Sequence, residues 1–78
     1  MVRAIIFGGT SEGRKLCEYC AKHSIPVLYS TATADGARQT EGLPGILSRY
    51  GALNGEEMAA LIRQSGVPLV IDATHPFA

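Results

Sequence analysis

Ile5-Ile6-Phe7-Gly8-Gly9-Thr10-Ser11-Glu12-Gly13-Arg14 reads as a buried strand that runs through a glycine turn straight into a helix. That order builds an anion site. The first N–H groups of a helix have no partner within it and point outward, and glycine lets the backbone approach a phosphate closely. The dinucleotide fingerprint for such a turn is G-x-G-x-x-G. Gly8 and Gly13 hold its outer positions, and Thr10 stands where the central glycine would be. The spacing is met in full and the composition in part.

Working outward, the spacing predicts alternating strands and helices. Val2 to Phe7 is apolar apart from Arg3, as suits a strand covered on both faces. Ser11 to about His23 is a predicted helix, with Leu16, Cys17, Cys20 and Ala21 spaced along one buried stripe. Pro26 opens a second strand, Val27 to Thr31, and Ala34 to Pro44 reads as a polar, mobile loop close to any ligand. Ile46 to Tyr50 is a short third strand. Asn54 and Glu57 have capping-box spacing at the start of another helix, whose apolar face is Met58, Leu61 and Ile62. Gly66 and Pro68 stop that helix, Leu69 to Asp72 forms the last strand, and Pro76 suits the first turn of a further helix.

The fold class expected from this order is α/β: a Rossmann-like parallel sheet with right-handed crossovers and flanking helices. Seventy-eight residues make a marginal core. The sequence also stops at His75-Pro76-Phe77-Ala78, just after a strand-like run, so residues 1–78 read as the N-terminal, dinucleotide-binding part of a longer protein.

Composition narrows the function. Seven basic and seven acidic residues leave no net charge, and Lys and Arg do not cluster, which argues against a nucleic-acid partner. There is no run of membrane-spanning length and no evident secretory signal, so a cytoplasmic protein is the expectation. Cys17 and Cys20 lie well inside the predicted helix rather than at its start, where a redox pair usually sits, and no second pair of ligands suggests zinc. They read as small residues facing the sheet, and no metal ligand set is apparent.

In folds of this class, ligands sit beyond the carboxyl ends of the strands. Four segments then converge on one crevice: 8–13, 30–33, 50–53 and 72–76. The hydroxyls of Thr10 and Ser11 can donate to phosphate oxygens or cap the helix. Arg14 can reach a phosphate or lie in solvent. A bulky residue at Gly8 would be expected to crowd a pyrophosphate and leave the sheet intact. The second strand ends Ser30-Thr31-Ala32-Thr33, without the acid that binds an NAD ribose. Hydroxyls with Arg38 nearby suit a 2′-phosphate, which favours NADPH, with NADH the alternative. Asp72, Thr74 and His75 put polar groups on the crevice floor. His75 can donate a proton, pair with a substrate carboxylate or cap the next helix.

Two stretches together carry a family resemblance. Phe7-Gly8-Gly9-Thr10-Ser11-Glu12-Gly13-Arg14 with Ile71-Asp72-Ala73-Thr74-His75-Pro76-Phe77-Ala78 resembles the precorrin-6A reductases of cobalamin biosynthesis. Ser30-Thr31-Ala32-Thr33 and Tyr50-Gly51-Ala52-Leu53-Asn54 fall where that family has similar segments, and the middle segments look closer to its cobalt-precorrin-6A branch. The resemblance implies a longer, two-domain reductase that moves a hydride from NAD(P)H to precorrin-6A or its cobalt form. It implies that Gly8, Gly9, Thr10, Ser11 and Gly13 hold the pyrophosphate while Ser30, Thr31 and Thr33 border the adenosine ribose. Gly51, Thr74 and His75 would line the nicotinamide and tetrapyrrole side. Two rivals stand beside it. A short-chain oxidoreductase would need a Tyr-x-x-x-Lys pair, which this chain does not contain. A nucleotide-sensing domain would be expected to carry an acid at the end of the second strand.

Overall fold

The structure is a computed structural model, and it describes residues 1–75. Seven elements follow in order: β1 (Ala4–Phe7), α1 (Ser11–Lys22), β2 (Val27–Thr31), α2 (Ala34–Arg38), β3 (Ile46–Tyr50), α3 (Gly55–Ser65) and β4 (Leu69–Asp72). The four strands form one parallel sheet in the order β3-β2-β1-β4. This is the expected α/β, Rossmann-like arrangement. The chain steps outward from β1 to β3, then jumps back past β1 to β4. The reversal opens a crevice above the carboxyl ends of β1, β2 and β4.

Register sorts the side chains between the two faces. Ile6 pairs with Tyr29 and Ile71, and Tyr29 with Ser48, so these share a face. Cys17 and Cys20 of α1 pack onto it with Ala4, Ile6, Val27 and Tyr29 to make the core. Each fully buried Ile or Val there contributes about 1.5–3 kcal/mol. Burial pushes the Cys17 thiol up to about 12, which keeps it protonated and unreactive. The two cysteines are thus packing residues, as their place in the sequence predicts. Phe7, Ser30, Arg49 and Asp72 share the opposite face. The chain crosses from β3 to β4 in the reverse direction, so a right-handed connection carries α3 over that side.

Caps fix the helix starts. Asn54 and Glu57 form the expected reciprocal capping box, and Gly66 ends α3 with φ of 63°. At α1 the cap is Thr10 rather than Ser11. The segment 34–44, expected as a loop, begins with α2. Thr33 caps that helix by accepting from the Gly36 N–H at 3.1 Å, and Arg38 pairs with Asp35 one turn earlier. Gly36 gives the sequence its loop-like character. In the fold its lack of a side chain lets α2 sit against β2, because a Cβ there would lie 3.0 Å from the Thr31 side chain. Thr40 anchors the far end, buried and hydrogen-bonded to Ser48 at 2.6 Å. The helix expected from Pro76 onward lies outside the described residues. No described helix is long and apolar enough to cross a membrane.

Candidate functional site

The glycine turn rests on a buried tyrosine. Tyr29 projects from the middle of β2 beneath the β1–α1 connection, with no exposed surface. Its hydroxyl accepts from the Gly9 N–H at 2.9 Å and donates to Gln39 Oε1 at 3.2 Å. The ring fills the space that side chains on the turn would need. A Cβ on Gly8 would lie 2.2 Å from the ring, and one on Gly13 would lie 2.7 Å from the hydroxyl. The outer glycines of the motif are therefore required by packing within the protein. This corrects the expectation that bulk at Gly8 would spare the fold. Gly9 differs, because a Cβ there meets nothing among the described residues but its φ is +121°. Its glycine serves conformation.

Thr10 stitches the turn to β4. Its hydroxyl donates to the Ala73 carbonyl at 2.8 Å and receives a long 3.4 Å contact from the Gly13 N–H. With its proton so committed, Thr10 Oγ1 in this arrangement is a structural cap rather than a phosphate donor. Ser11 donates to Glu12 Oε2. Among the described residues, the N–H groups of Thr10, Ser11 and Glu12 make no protein hydrogen bond. Three donors at the positive end of a twelve-residue helix thus face outward. They fit the pyrophosphate of a dinucleotide, and the bare Cα of Gly9 leaves its approach open.

Beside this turn lies a cavity of about 230 Å³. All four strand ends contribute to it: Phe7 and Gly8, Ser30 to Ala32, Gly51 to Leu53, and Thr74, with Met58 of α3 closing one side. The convergence expected from the sequence is therefore present. A second hollow of about 300 Å³ lies at the opposite ends of the strands, between Arg3, Pro26 and Pro68. It is the larger of the two, but it has neither the helix start nor the convergent strand tips.

The remaining site candidates divide. Gly8, Ser30, Thr31, Gly51 and Thr74 line the cavity, and Gly9, Thr10, Ser11 and Gly13 form the adjoining turn. Thr33 caps α2 and Arg38 pairs with the exposed Asp35, so neither lines the cavity. Arg14 reaches the Gln39 carbonyl and Glu18 instead of the turn. Thr74 donates both its hydroxyl, at 2.7 Å, and its N–H, at 3.1 Å, to Asp72 Oδ1. Those two bonds hold the Asp72 carboxyl below the usual carboxylate range. His75 follows, exposed, one residue beyond the cavity lining.

Tyr29, Gln39 and Arg49 also belong to the site, and no local sequence signal marks them. Arg49 donates to the Ser30 hydroxyl at 2.6 Å and to the Tyr50 carbonyl at 3.0 Å, at the rim of the cavity. Its strand position next to Ser30 appears only once the register is known.

Comparison with known proteins gives the family. A family model described as Precorrin-6x reductase CbiJ/CobK matches residues 3–78. The chain belongs to the precorrin-6x reductase family. Within the family, the precorrin-6A reductase of Rhodobacter capsulatus is 35% identical over 78 residues, covering all of this chain and 30% of its own. The cobalt-precorrin-6A reductase of Salmonella typhimurium is 32% identical over 74 residues, covering 95% of this chain and 28% of its own. That of Priestia megaterium is 30% identical over 74 residues, covering 95% of this chain and 29% of its own. The chain thus spans less than a third of the length of these relatives. These identities do not set it on the cobalt side. No solved structure matches it.

Proposed function

We propose that these residues form the N-terminal, nucleotide-binding part of a cytoplasmic precorrin-6A reductase, completed by a second domain. The reaction is hydride transfer from NADPH to a carbon of precorrin-6A or its cobalt form, giving the corresponding 6B product. The observation that carries this reading is the juxtaposition of three outward N–H donors with a cavity lined by all four strand ends. Membership of the precorrin-6x reductase family supplies the reaction class. The nicotinamide cofactor supplies the hydride. The chain's own residues bind and orient. The N–H groups of Thr10, Ser11 and Glu12 hold the pyrophosphate, and Ser30 to Ala32 border the adenosine ribose. Gly51 to Leu53 and Thr74 flank the nicotinamide and tetrapyrrole side. His75 is exposed beside Thr74, where it can supply a proton to the macrocycle. The preference for NADPH over NADH rests on the tip of β2, where Ser30-Thr31-Ala32-Thr33 offers no carboxylate.

The test is nicotinamide oxidation by the full-length protein that carries these residues, without oxygen, with precorrin-6A and with its cobalt form. Oxidation that depends on a macrocycle, faster with NADPH than with NADH, is expected. Tight cofactor binding with no oxidation in the presence of either macrocycle would reject the reaction and leave a nucleotide-binding domain.

A further inference from the structure

Three arginines lie around the upper half of the sheet, and two of them are paired with carboxylates. Arg14 meets Glu18 one turn along α1, and Arg38 meets Asp35 within α2. Arg49 has no carboxylate partner among the described residues. Its side chain leaves β3 on the same face as Ser30 and Phe7, and it is only partly exposed. One nitrogen donates to Ser30 Oγ at 2.6 Å and another to the Tyr50 carbonyl at 3.0 Å. These are neutral acceptors. A guanidinium carries five N–H donors, so most of its capacity is left over. A partly buried charge held only by neutral groups is costly, and an anion would relieve that cost.

The same guanidinium is fixed against the cavity. Ser30, which receives its bond, lines the cavity, and so does Gly51. A Cβ on Gly51 would come within 3.0 Å of the Arg49 Nη2, so the missing side chain leaves room for the guanidinium there. The tip of β2 is where folds of this class place the adenosine ribose and its 2′ group. Arg49 reaches that tip from the neighbouring strand, through the pairing of Ser30 with Arg49. Among the described residues, none that lines the cavity is acidic. The planar fork of arginine suits a phosphate monoester better than a ribose hydroxyl, which needs an acceptor as well as a donor.

We propose that Arg49, poised on Ser30 at the rim of the cavity, binds the 2′-phosphate of NADPH and sets the preference over NADH. The proposal rests on the nucleotide reading of the crevice and moves the phosphate contact from Arg38 to Arg49. Arg49 is a specificity residue in this scheme, and it acts on the adenosine end of the cofactor, away from the hydride.

Calorimetric titration of the full-length protein tests it. Arg49→Gln is expected to weaken NADPH about 10- to 100-fold, the usual value of hydrogen bonds to a charged group. NADH affinity should stay within about twofold, since the change touches only the 2′ position. Arg49→Lys should restore part of the loss, as a point charge without the fork. The unaltered protein gives a second reading that needs no variant: 2′,5′-ADP should bind about tenfold or more tighter than 5′-AMP, from which it differs by the 2′-phosphate alone. An unchanged NADPH-to-NADH ratio in Arg49→Gln, or an equal loss for both cofactors, overturns the proposal while the nucleotide site stands. Equal affinity for 2′,5′-ADP and 5′-AMP overturns it too, and decides the matter if the variants do not fold. Failure of the unaltered protein to bind either nicotinamide rejects the nucleotide reading itself, and the assignment of Arg49 falls with it.

Discussion

Gly8→Val is expected to destabilise the fold by about 3 kcal/mol or more, at or above the upper end for overpacked cores. A Cβ at this position would sit 2.2 Å from a carbon of the Tyr29 ring, and the ring is fully buried. The ring cannot swing aside, because its hydroxyl is held between the Gly9 N–H and Gln39 while Ile6 and Cys17 pack in the same core. Valine adds two methyl groups to that overlap. Chemical denaturation of the variant should show a lower midpoint with an unchanged slope. The double variant Gly8→Ala with Tyr29→Ala should cost less than the sum of its parts, because removing the ring removes the clash. Gly9→Ala provides the contrast. It meets no atom, and its cost is the strain of alanine at φ +121°, about 1–3 kcal/mol. If Gly8→Val keeps full stability and loses only nucleotide affinity, the packing account of this turn is wrong.

Tyr29→Ala is expected to be the more damaging change, at about 3–5 kcal/mol, the range for deleting a buried aromatic ring. Tyr29 of β2 shares the core with Cys17 of α1 and bonds Gln39 at the end of α2, and its loss leaves a cavity under the glycine turn. Tyr29→Phe separates packing from hydrogen bonding. It keeps the ring and removes the acceptor for the Gly9 N–H, at a cost of about 0.5–1.5 kcal/mol in stability. The hydroxyl also holds the first glycines of the turn at a fixed height, so Tyr29→Phe should weaken nucleotide binding beyond its effect on stability. Denaturation curves and nucleotide titrations on the same samples separate the two effects. Nucleotide affinity unchanged in Tyr29→Phe would show that the turn keeps its shape without this support.

Much of the architecture was legible because its signals are local. The apolar run Ile5-Ile6-Phe7, the capping pair Asn54 and Glu57, and the stop at Gly66 each state their element within a few residues. The crevice followed from topology, since an alternating strand–helix order leaves few parallel arrangements. What escaped the sequence depends on register. Tyr29 looked like one more strand residue, and only its pairing with Ile6 puts it beneath the turn. Arg49 reads in sequence as one more residue of a short strand, and only its pairing with Ser30 puts it beside the cavity. Arg38 drew attention because it is near in sequence to the tip of β2, yet α2 formation turns it to Asp35. The short helix itself was hidden by Gly36, whose requirement comes from contact with Thr31 and not from local propensity. Between Thr10 and Ser11 the α1 cap falls to Thr10, which is drawn into the turn by the Ala73 carbonyl, 63 positions away in sequence.

On the proposed reading, the start of α1 and the tips of the four strands form one nucleotide site. The most direct measurement is the backbone amide spectrum of the full-length protein as NADPH is added. The largest shifts are expected at Thr10, Ser11 and Glu12, whose N–H groups have no protein partner among the described residues, with further shifts at Ser30 to Ala32 and Gly51 to Leu53. Saturable binding that leaves those amides unmoved, or that shifts the hollow around Arg3, Pro26 and Pro68 instead, would contradict it.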